Sequence, residues 1–352
     1  MITGKAGKSG KVIPAWELYT YANTKSGNIV QTGYAMEEKI TSGIAHVVME
    51  EIPRIFFLTD HGEVPMEKCD ALITQLHRDN YLVEPLSLFK ETNLEKGEVL
   101  MILSPTRDLT QQEYEMISQW MEEGGRLLYA CDASVDMENI PYFHQLLSRY
   151  SLAFEEGMVI ESNQFADYWM NSPMYLVPAI QTEAKALDQI KKTQKAILPG
   201  ARGVTGPTMP LSGFTYEKLM TTSRGSYIKK TDSEVFTQEA QDPVGSFPLA
   251  QSIQWLNEEK GEEMRAVFIG SLYTIMDNSL LNASNNLDMT KAFLRWLTQR
   301  ENNISIPARE MANTTMVITS AGTAWRIFAI TLILPVFAVM IGFFMYIRRR
   351  KK

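Results

Sequence analysis

The first half of the chain alternates short apolar runs with helical repeats. Three of these runs, Arg54–Leu58, Val99–Leu103 and Arg126–Ala130, are apolar at nearly every position rather than at every second one. Continuous apolar strands are typical of a parallel sheet that is covered on both faces. The runs therefore predict buried parallel strands joined by right-handed crossovers.

Amphipathic helical periodicity separates the predicted strands. One helix, over residues 37–51, places Ile40, Ile44, Val47 and Val48 at helical spacing and ends before Pro53. A late apolar run at 266–270 predicts a further buried strand. The strand and helix order indicates an α/β fold of the flavodoxin-like type, which class I glutamine amidotransferases share. The other predicted helices are 65–78, 110–123, 140–150 and 287–298, and a further helical stretch contains Lys191, Lys192 and Lys195.

The stretch 199–213 is rich in glycine and proline and predicts a surface loop. Its glycines, Gly200 to Gly206, are not followed by the Lys and Ser or Thr that bind phosphate and magnesium in a P-loop. Nucleotide hydrolysis by this chain is therefore not expected, and no cofactor is predicted.

Residues 327–347 contain no charged side chain over 21 positions, long enough at about 1.5 Å per residue to cross the apolar core of a bilayer. Aromatic and basic residues flank this run, as they flank transmembrane helices. Pro335 lies inside the run, and bilayer helices tolerate proline. The sequence predicts one carboxy-terminal transmembrane helix, whose marking residues are Trp325, Arg326, Tyr346, Arg348, Arg349 and Arg350.

The basic end of this helix is expected in the cytoplasm, which places the preceding domain on the other side of the cell membrane. No signal-peptide-like apolar run is seen near Met1. Either a first hydrophobic helix belongs upstream of this sequence or the orientation rule is overridden here, and we expect the first. The predicted organisation is a lead at 1–35, a soluble α/β domain at 36–298, a linker at 299–324, the membrane helix at 325–347 and a cytoplasmic tail at 348–352.

Charge excludes one class of partner. The tail from Ala321 onward holds six cations and no acid, which leaves 28 of the 34 basic residues against 41 acidic residues elsewhere, a net charge of −13. Such a surface repels phosphate backbones, so nucleic-acid binding is not expected. Cys69 and Cys131 are far apart with no CxxC spacing, so neither a disulfide framework nor a metal site is predicted.

Several segments together resemble the GldG-like family of auxiliary components of ABC-type transport systems, named for gliding motility. The resemblance covers about residues 17–352, and it rests on the order of the elements and the carboxy-terminal anchor. The segments are EEKITSGIAHV, RIFFLTDHGE, VLMILSPTRDLTQQEYEMISQWMEEGGRLLYACD, RAVFIGSLYTIMDNSLL, FLRWLT and the final RRRKK. The resemblance implies a membrane-anchored, non-enzymatic subunit that works beside a permease and a separate ATP-binding subunit.

The candidate binding site follows the predicted strands. In an open parallel sheet, ligands bind beyond the carboxyl ends of the strands, near the point where the strand order reverses. The segments Thr59–Glu63, Ser104–Arg107 and Cys131–Asp132 all begin at such ends. The candidate ligand-binding residues are Asp60, His61, Glu63, Ser104, Arg107 and Asp132.

Cys131 and His61 are weak candidates for catalysis. A cysteine, a histidine and carboxylates at one sheet edge resemble the arrangement of class I glutamine amidotransferases. Here Cys131 lacks the flanking glycines of a nucleophile elbow. The alternatives to the transport subunit are a cell-surface hydrolase or amidotransferase-like enzyme and a degenerate sensor domain that binds a ligand without turnover.

Overall fold

The structure is a computed structural model of the chain. The chain divides into two compact units, one formed by Met1–Ile13 and Ile40–Ile306 and the other by Pro14–Lys39 and Pro307–Lys352. The predicted domain boundaries stay predictions. The structure describes residues 2–3, 10–23, 29–48, 52–89, 94–162, 172–231, 233, 236–257, 261–276, 280–281, 284–299, 309–310 and 348.

The described helices are α1 (Met36–Val48), α2 (Asp70–Arg78), α3 (Gln111–Glu122), α4 (Pro141–Ser148) and α5 (Asn286–Leu297). The described strands are β1 (Ile2–Thr3), β2 (Gly10–Lys11), β3 (Tyr19–Asn23), β4 (Ile29–Tyr34), β5 (Arg54–Leu58), β6 (Leu82–Leu86), β7 (Val99–Leu103), β8 (Arg126–Ala130), β9 (Ala153–Phe154), β10 (Met158–Ile160), β11 (Tyr175–Leu176), β12 (Ala179–Ile180), β13 (Leu198–Pro199), β14 (Val204–Thr205), β15 (Phe214–Thr221), β16 (Tyr227–Lys229), β17 (Pro248–Asn257), β18 (Glu262–Ile269) and β19 (Arg309–Glu310).

An eight-stranded sheet forms the centre of the larger unit, in the order β12-β15-β17-β18-β8-β7-β5-β6. The five strands from β6 to β18 are parallel. Numbered by their order along the chain, they lie across the sheet as 2-1-3-4-5. The strands β12, β15, β17 and β18 pair antiparallel. The fold is therefore mixed α/β, and the label flavodoxin-like stays a prediction.

Both faces of the parallel strands are buried. Successive residues of β5 enter different cores, since Ile55 and Phe57 pack with α2 and α5 whereas Phe56 and Leu58 pack with α3 and α4. The strands β7, β8 and β18 alternate between the same two cores. This two-sided burial explains why these strands are continuously apolar in sequence.

The buried strands β5, β7 and β8 have the predicted bounds, and helix α3 has its predicted extent less one residue at each end. The antiparallel strands β15 and β17 were not predicted. Their exposed faces carry polar residues within mixed sequence, for example FTYEKLMT in β15. The predicted helix that contains Lys191, Lys192 and Lys195 was wrong, because Lys192 lies in a turn and neither Lys191 nor Lys195 is helical.

The glycine-rich stretch 199–213 is not a surface loop throughout. Ala201, Arg202 and Val204 are buried, and β14 pairs with β9. The close backbone approach explains the burial: the Arg202 amide donates to the Gly270 carbonyl oxygen at 2.8 Å, and a side chain on Gly270 would collide with the Arg202 carbonyl group. Gly270 thus serves this close packing, whereas Gly200 and Gly213 within the stretch have positive φ.

Helix α1 differs from the prediction in its exposed face. It begins one residue before the predicted span and ends at Val48, but Ile40 and Ile44 are exposed. In the other unit, β3, β4 and β19 form a small antiparallel sheet in the order β19-β4-β3. In that sheet Tyr34 pairs with Tyr19 on one side and with Arg309 on the other.

The predicted transmembrane helix at 325–347 lies outside the described residues, as do Arg349 and Arg350 of the predicted tail. None of the helices that the structure describes is long and apolar enough to span a membrane. The short pairing of β1 with β2 shows that part of the predicted lead is ordered as a hairpin-like ladder.

Candidate functional site

The loops after β5 and β7 meet at the carboxyl edge of the parallel strands. The amides of Thr106 and Arg107 both donate to the His61 carbonyl oxygen at 2.9 Å, and the Val64 amide donates to the Leu103 carbonyl oxygen at 3.0 Å. Strand β5 lies between β6 and β7, so the strand order reverses here. The predicted segments Thr59–Glu63 and Ser104–Arg107 therefore lie together at the reversal point, where open α/β sheets bind ligands.

The turn after β5 has an unusual backbone. Asp60 has a φ of 81° and Gly62 a φ of 76°, both in the left-handed region. A β-carbon on Gly62 would fall well inside van der Waals contact of Thr106 Oγ1. Glycine is therefore required at this position both for its backbone angle and for the close approach of the neighbouring loop.

His61 lies buried between two carboxylates, with its side chain only 3% exposed. Its Nδ1 lies 3.2 Å from Glu63 Oε1 and 3.1 Å from the Thr59 carbonyl oxygen. Its Nε2 lies 3.3 Å from Glu113 Oε2. A protonated ring can donate on both sides at once, so this arrangement favours the imidazolium form.

The charges of the site shift two pKa values in opposite directions. Burial lowers the pKa of His61, but the hydrogen bond and charge of Glu63 and the charge of Glu113 outweigh burial and raise it above its usual value. Burial raises the pKa of Glu113, but hydrogen bonds from Thr110 and the charge of His61 outweigh that and lower it. The pair is thus stabilised as imidazolium and carboxylate.

Glu113 was not among the predicted site residues, although the sequence carries a signal for its position. The Thr110 hydroxyl caps α3 by accepting from the Glu113 amide, and Glu113 Oε2 accepts from the Thr110 amide at 2.8 Å. This capping box follows from the Thr-x-x-Glu spacing ahead of an apolar helix. Glu113 therefore ties the amino end of α3 to the loop of His61.

Aromatic rings enclose the imidazole. Phe89 stacks on His61 at a centroid distance of 6.1 Å and an interplanar angle of 13°, and Phe143 meets it edge-on at 5.7 Å. Phe89 is itself 67% exposed. The structure thus places a large exposed aromatic ring beside the charged cluster, which the hydrophobic pattern of the sequence did not reveal.

The remaining predicted residues differ in access to solvent. Asp60 and Arg107 are exposed at the rim of the edge. Ser104 is buried, and its hydroxyl accepts from the Asp132 amide at 3.1 Å. The Asp132 carboxylate accepts from the Ser134 amide at 2.9 Å. Ser104 and Asp132 therefore join the loops after β7 and β8, whereas Asp60 and Arg107 remain exposed.

Cys131 is completely buried and does not meet His61. Its thiol faces the Asp132 carbonyl oxygen at 3.8 Å and Met137 Sδ at 4.0 Å, and none of its contacts among the described residues is with His61. Burial raises the pKa of this thiol to about 12, an increase that the charge of Arg202 only partly offsets. A thiol with this pKa is almost entirely protonated at neutral pH, so the geometry opposes a nucleophilic role.

No metal-ligand group is seen in the part of the chain that the structure describes, because no three His, Cys, Asp or Glu side chains there are placed to hold an ion. His61 instead forms ion pairs with Glu63 and Glu113, and one oxygen of each carboxylate, Oε1, accepts no hydrogen bond within the described part of the chain. The edge thus combines an inner charged cluster with an outer rim of exposed polar and aromatic side chains.

These features define a mixed α/β domain with a polar loop cluster at the carboxyl edge of its parallel strands. The family described as an ABC-type uncharacterized transport system matches residues 52–247, more than half of the chain. The chain belongs to this family, which makes it an auxiliary component of an ABC-type transport system. The matched residues include β5, β7, β8 and the whole candidate site.

No curated protein matches the chain. Among solved structures, the chain is similar to the mmIFT52 N-terminal domain, with a TM-score of 0.51 and 14% sequence identity over 69% of this chain and 97% of that chain. At this identity the likeness concerns the fold alone. It supports the mixed α/β architecture described above.

Proposed function

We propose that this protein is a membrane-anchored, non-ATPase subunit of an ABC-type transport complex, which contacts the permease while a separate subunit hydrolyses ATP. The family match over residues 52–247 carries this proposal. The missing P-loop lysine after Gly200–Gly206 agrees with an ATPase on another chain. The resemblance to GldG-like proteins of gliding motility supports the finer assignment within the family.

The membrane anchor is the apolar run 327–347, followed by five consecutive cations. The basic end favours a cytoplasmic tail and therefore an extracytoplasmic soluble domain at the cell membrane. This topology places the carboxyl edge of the sheet where it meets extracytoplasmic loops of a permease or a ligand outside the cytoplasm. Protease treatment of intact cells tests it: the soluble domain should be cleaved from outside, and full protection would refute the topology.

The contact surface in this proposal is the rim of the carboxyl edge. Asp60, Phe89 and Arg107 are exposed there. The ion pairs beneath them hold the two loops in place, so the rim needs little reordering when a partner binds. His61, Glu63 and Ser104 then position the rim, and Asp60 and Arg107 make the polar contacts.

The test is affinity purification of the full-length protein from native membranes in mild detergent. We expect a polytopic permease and an ATP-binding subunit to be recovered with it. Recovery of the bait alone, under conditions that keep other ABC complexes intact, would contradict the proposed function.

A pair of variants tests the rim separately from the complex. Asp60→Asn with Arg107→Gln should reduce recovery of the permease, and the matched pair Asp188→Asn with Arg224→Gln removes the same charges at exposed positions outside the described site. Equal recovery with both pairs would show that the rim is not the contact, although the subunit assignment would stand.

The enzymatic alternative has no supporting contact. It required Cys131 and His61 to act together, but the thiol is buried with a raised pKa and the imidazole is held by two carboxylates. Membership of an auxiliary transport family favours a role in binding. We therefore carry no second function forward.

A further inference from the structure

A cavity opens away from the candidate site, between the segment around α4 and β9 and the segment that follows β16. Its volume is about 810 Å³, within the range of roughly 300–1,000 Å³ usual for small-molecule sites. It is lined by residues between Met137 and Glu156 and between Ile228 and Pro243. None of the residues of the sheet edge lines it, so it is independent of the proposed function.

The cavity has an apolar part. Met137, Phe154 and Ile228 line it and are otherwise buried in the protein. Phe154 is backed by the buried core, where its ring packs edge-on against Tyr129 at 5.2 Å. These side chains give a ligand with a hydrocarbon or aromatic body a surface to cover.

The charged part of the lining is strongly acidic. It holds five carboxylates against two ammonium groups, so its formal charge is −3 with His144 neutral. The carboxylates are Glu138, Glu155, Glu156, Glu239 and Asp242, and the ammonium groups are Lys229 and Lys230.

The cavity wall already holds one ammonium group. Lys229 Nζ lies 2.5 Å from Glu239 Oε2 and 2.9 Å from Asp242 Oδ2, with the lysine side chain only 3% exposed. Burial lowers the pKa of Lys229, but the two carboxylates outweigh burial and raise it. This pairing shows that the wall stabilises a desolvated ammonium, and it leaves one carboxylate charge in excess.

Two further carboxylates add to this excess. Glu138 and Glu156 are exposed at the cavity, and neither carboxylate has a hydrogen-bond or ion-pair partner among the described residues. Glu155 differs, because its carboxylate accepts from the Thr205 hydroxyl. Glu138 and Glu156 are therefore the lining carboxylates that have no partner among the described residues.

We propose that this cavity binds a small organic cation, an amine or guanidine with an apolar body. Glu138 and Glu156 pair with the cationic group, and Met137, Phe154 and Ile228 cover the apolar body. Anions are repelled by the net negative lining, and neutral molecules gain only the apolar contact. A bare divalent ion is disfavoured, because the described residues offer no metal-ligand group and Lys229 occupies two of the carboxylates.

The test is isothermal titration of the full-length protein in nonionic detergent with phenethylamine, with titration into detergent alone as the blank. We expect a Kd on the order of 0.1–1 mM, as suits a ligand of this size. The isosteres phenethyl alcohol and 3-phenylpropanoate should bind at least about tenfold more weakly, since they lack the positive charge. Raising the salt concentration should weaken the binding of phenethylamine more than that of the uncharged phenethyl alcohol.

Glu138→Gln with Glu156→Gln should weaken phenethylamine binding by about fivefold for each carboxylate. Both side chains are exposed, so circular dichroism should show an unchanged fold. The matched control is Glu67→Gln, which removes an exposed carboxylate away from the cavity and should bind as the unaltered protein does.

Three results would overturn the proposal. They are equal affinity for the alcohol and the amine, unchanged amine affinity in the double variant, and no saturable heat at millimolar phenethylamine. Because recovery of permease and ATPase is measured separately, failure here leaves the proposed transport role untouched.

Discussion

His61 Nε2 lies 3.3 Å from Glu113 Oε2 and so joins the turn after β5 to the amino end of α3. The two residues are 52 positions apart in sequence, and each also bonds within its own loop. The contact holds together the loops at the point where the strand order reverses. Its strength depends on the charges of both side chains, which makes pH the first means of testing it.

The His61 pair should make stability depend on pH. The pKa of His61 is raised above its ordinary value of 6.5, so its contribution is fully present below about pH 6.5 and is lost as pH rises through the folded-state pKa. The pKa of Glu113 is lowered from 4.5, so its contribution is present above about pH 4.5 and is lost as pH falls through its folded-state pKa. The pair should stabilise most between these values.

Urea unfolding of the full-length protein and of His61→Gln, followed by tryptophan fluorescence, measures this effect. The difference in the free energy of unfolding should be largest near about pH 5–6 and should shrink toward about pH 9. His77→Gln is the control, because His77 is exposed at the end of α2. A difference that stays constant over this range would contradict the charged pairing.

Gly62→Ala should lower the free energy of unfolding by about 1–3 kcal/mol, because the position has positive φ and faces Thr106 Oγ1 closely. Adding Thr106→Ala should recover part of this loss by removing the collision but not the backbone strain. Gly245→Ala is a matched control, since a β-carbon there meets nothing within 4 Å. If the effects of Gly62→Ala and Thr106→Ala on the free energy of unfolding simply add, then the β-carbon does not collide with Thr106.

Arg202→Met should leave stability unchanged or raise it. The buried Arg202 guanidinium donates to the Val135 carbonyl oxygen at 2.5 Å, but its Nε and Nη1 have no hydrogen-bond partner among the described residues, and no described carboxylate pairs with it. Replacing a buried charge of this kind by an apolar side chain of similar volume removes a desolvation cost. Chemical denaturation of the variant measures the change.

The comparison for Arg202 is Arg54→Met. Arg54 pairs with Glu84 at 3.0 Å and with the buried Glu98 at 2.9 Å, so its loss leaves a carboxylate without its partner. We expect a loss of about 1–2 kcal/mol there. If Arg202→Met destabilises as much as Arg54→Met, then Arg202 has a favourable partner in the folded protein.

Both thiols should be inert in the folded protein. Neither Cys69 nor Cys131 forms a disulfide, both are buried, and the pKa of Cys131 is raised to about 12. Titration with a chromogenic disulfide at pH 8 should therefore detect almost no thiol until denaturant is added, and then two per chain. Rapid labelling of the Cys69→Ala variant in the native state would identify Cys131 as reactive and revive the enzymatic alternative.

Removal of residues 325–352 should release the protein into the soluble fraction after cell lysis and ultracentrifugation. The reason is the loss of the apolar run that is long enough to cross a bilayer. Carbonate washing of membranes containing the full-length protein is the companion measurement, and it should leave that protein in the pellet. A truncated chain that still resists carbonate would show that another segment holds it there.

The sequence predicts best where burial is two-sided. The bounds of β5, β7 and β8 follow from runs such as RIFFL and VLMIL, because only a strand covered on both faces needs every side chain apolar. Strands β15 and β17 were not predicted, because one face is partly exposed and the apolar run is therefore interrupted. Their formation depends on pairing with other strands, which the local pattern does not show.

The candidate site shows the same division. The sequence placed the loops after β5, β7 and β8 at one edge, since parallel strands share a carboxyl end. The sequence did not predict that Phe89 stacks on His61. The two residues belong to different segments, and a hydrophobic period along the chain does not indicate which segments come into contact. The capping role of Glu113 could have been predicted from the Thr-x-x-Glu spacing. Its contact with His61 could not.

Strand β8 ends at Ala130, and its parallel neighbour β18 begins only at Glu262. At roughly 5–20 residues per second, a ribosome needs on the order of ten seconds to make the intervening segment. During that time the nascent chain presents the uncovered hydrogen-bonding edge of β8, with Leu127 to Ala130 still unpaired on that side. The nascent chain is therefore prone to aggregate during this interval. A chaperone that binds the unfinished chain would raise the yield of folded protein.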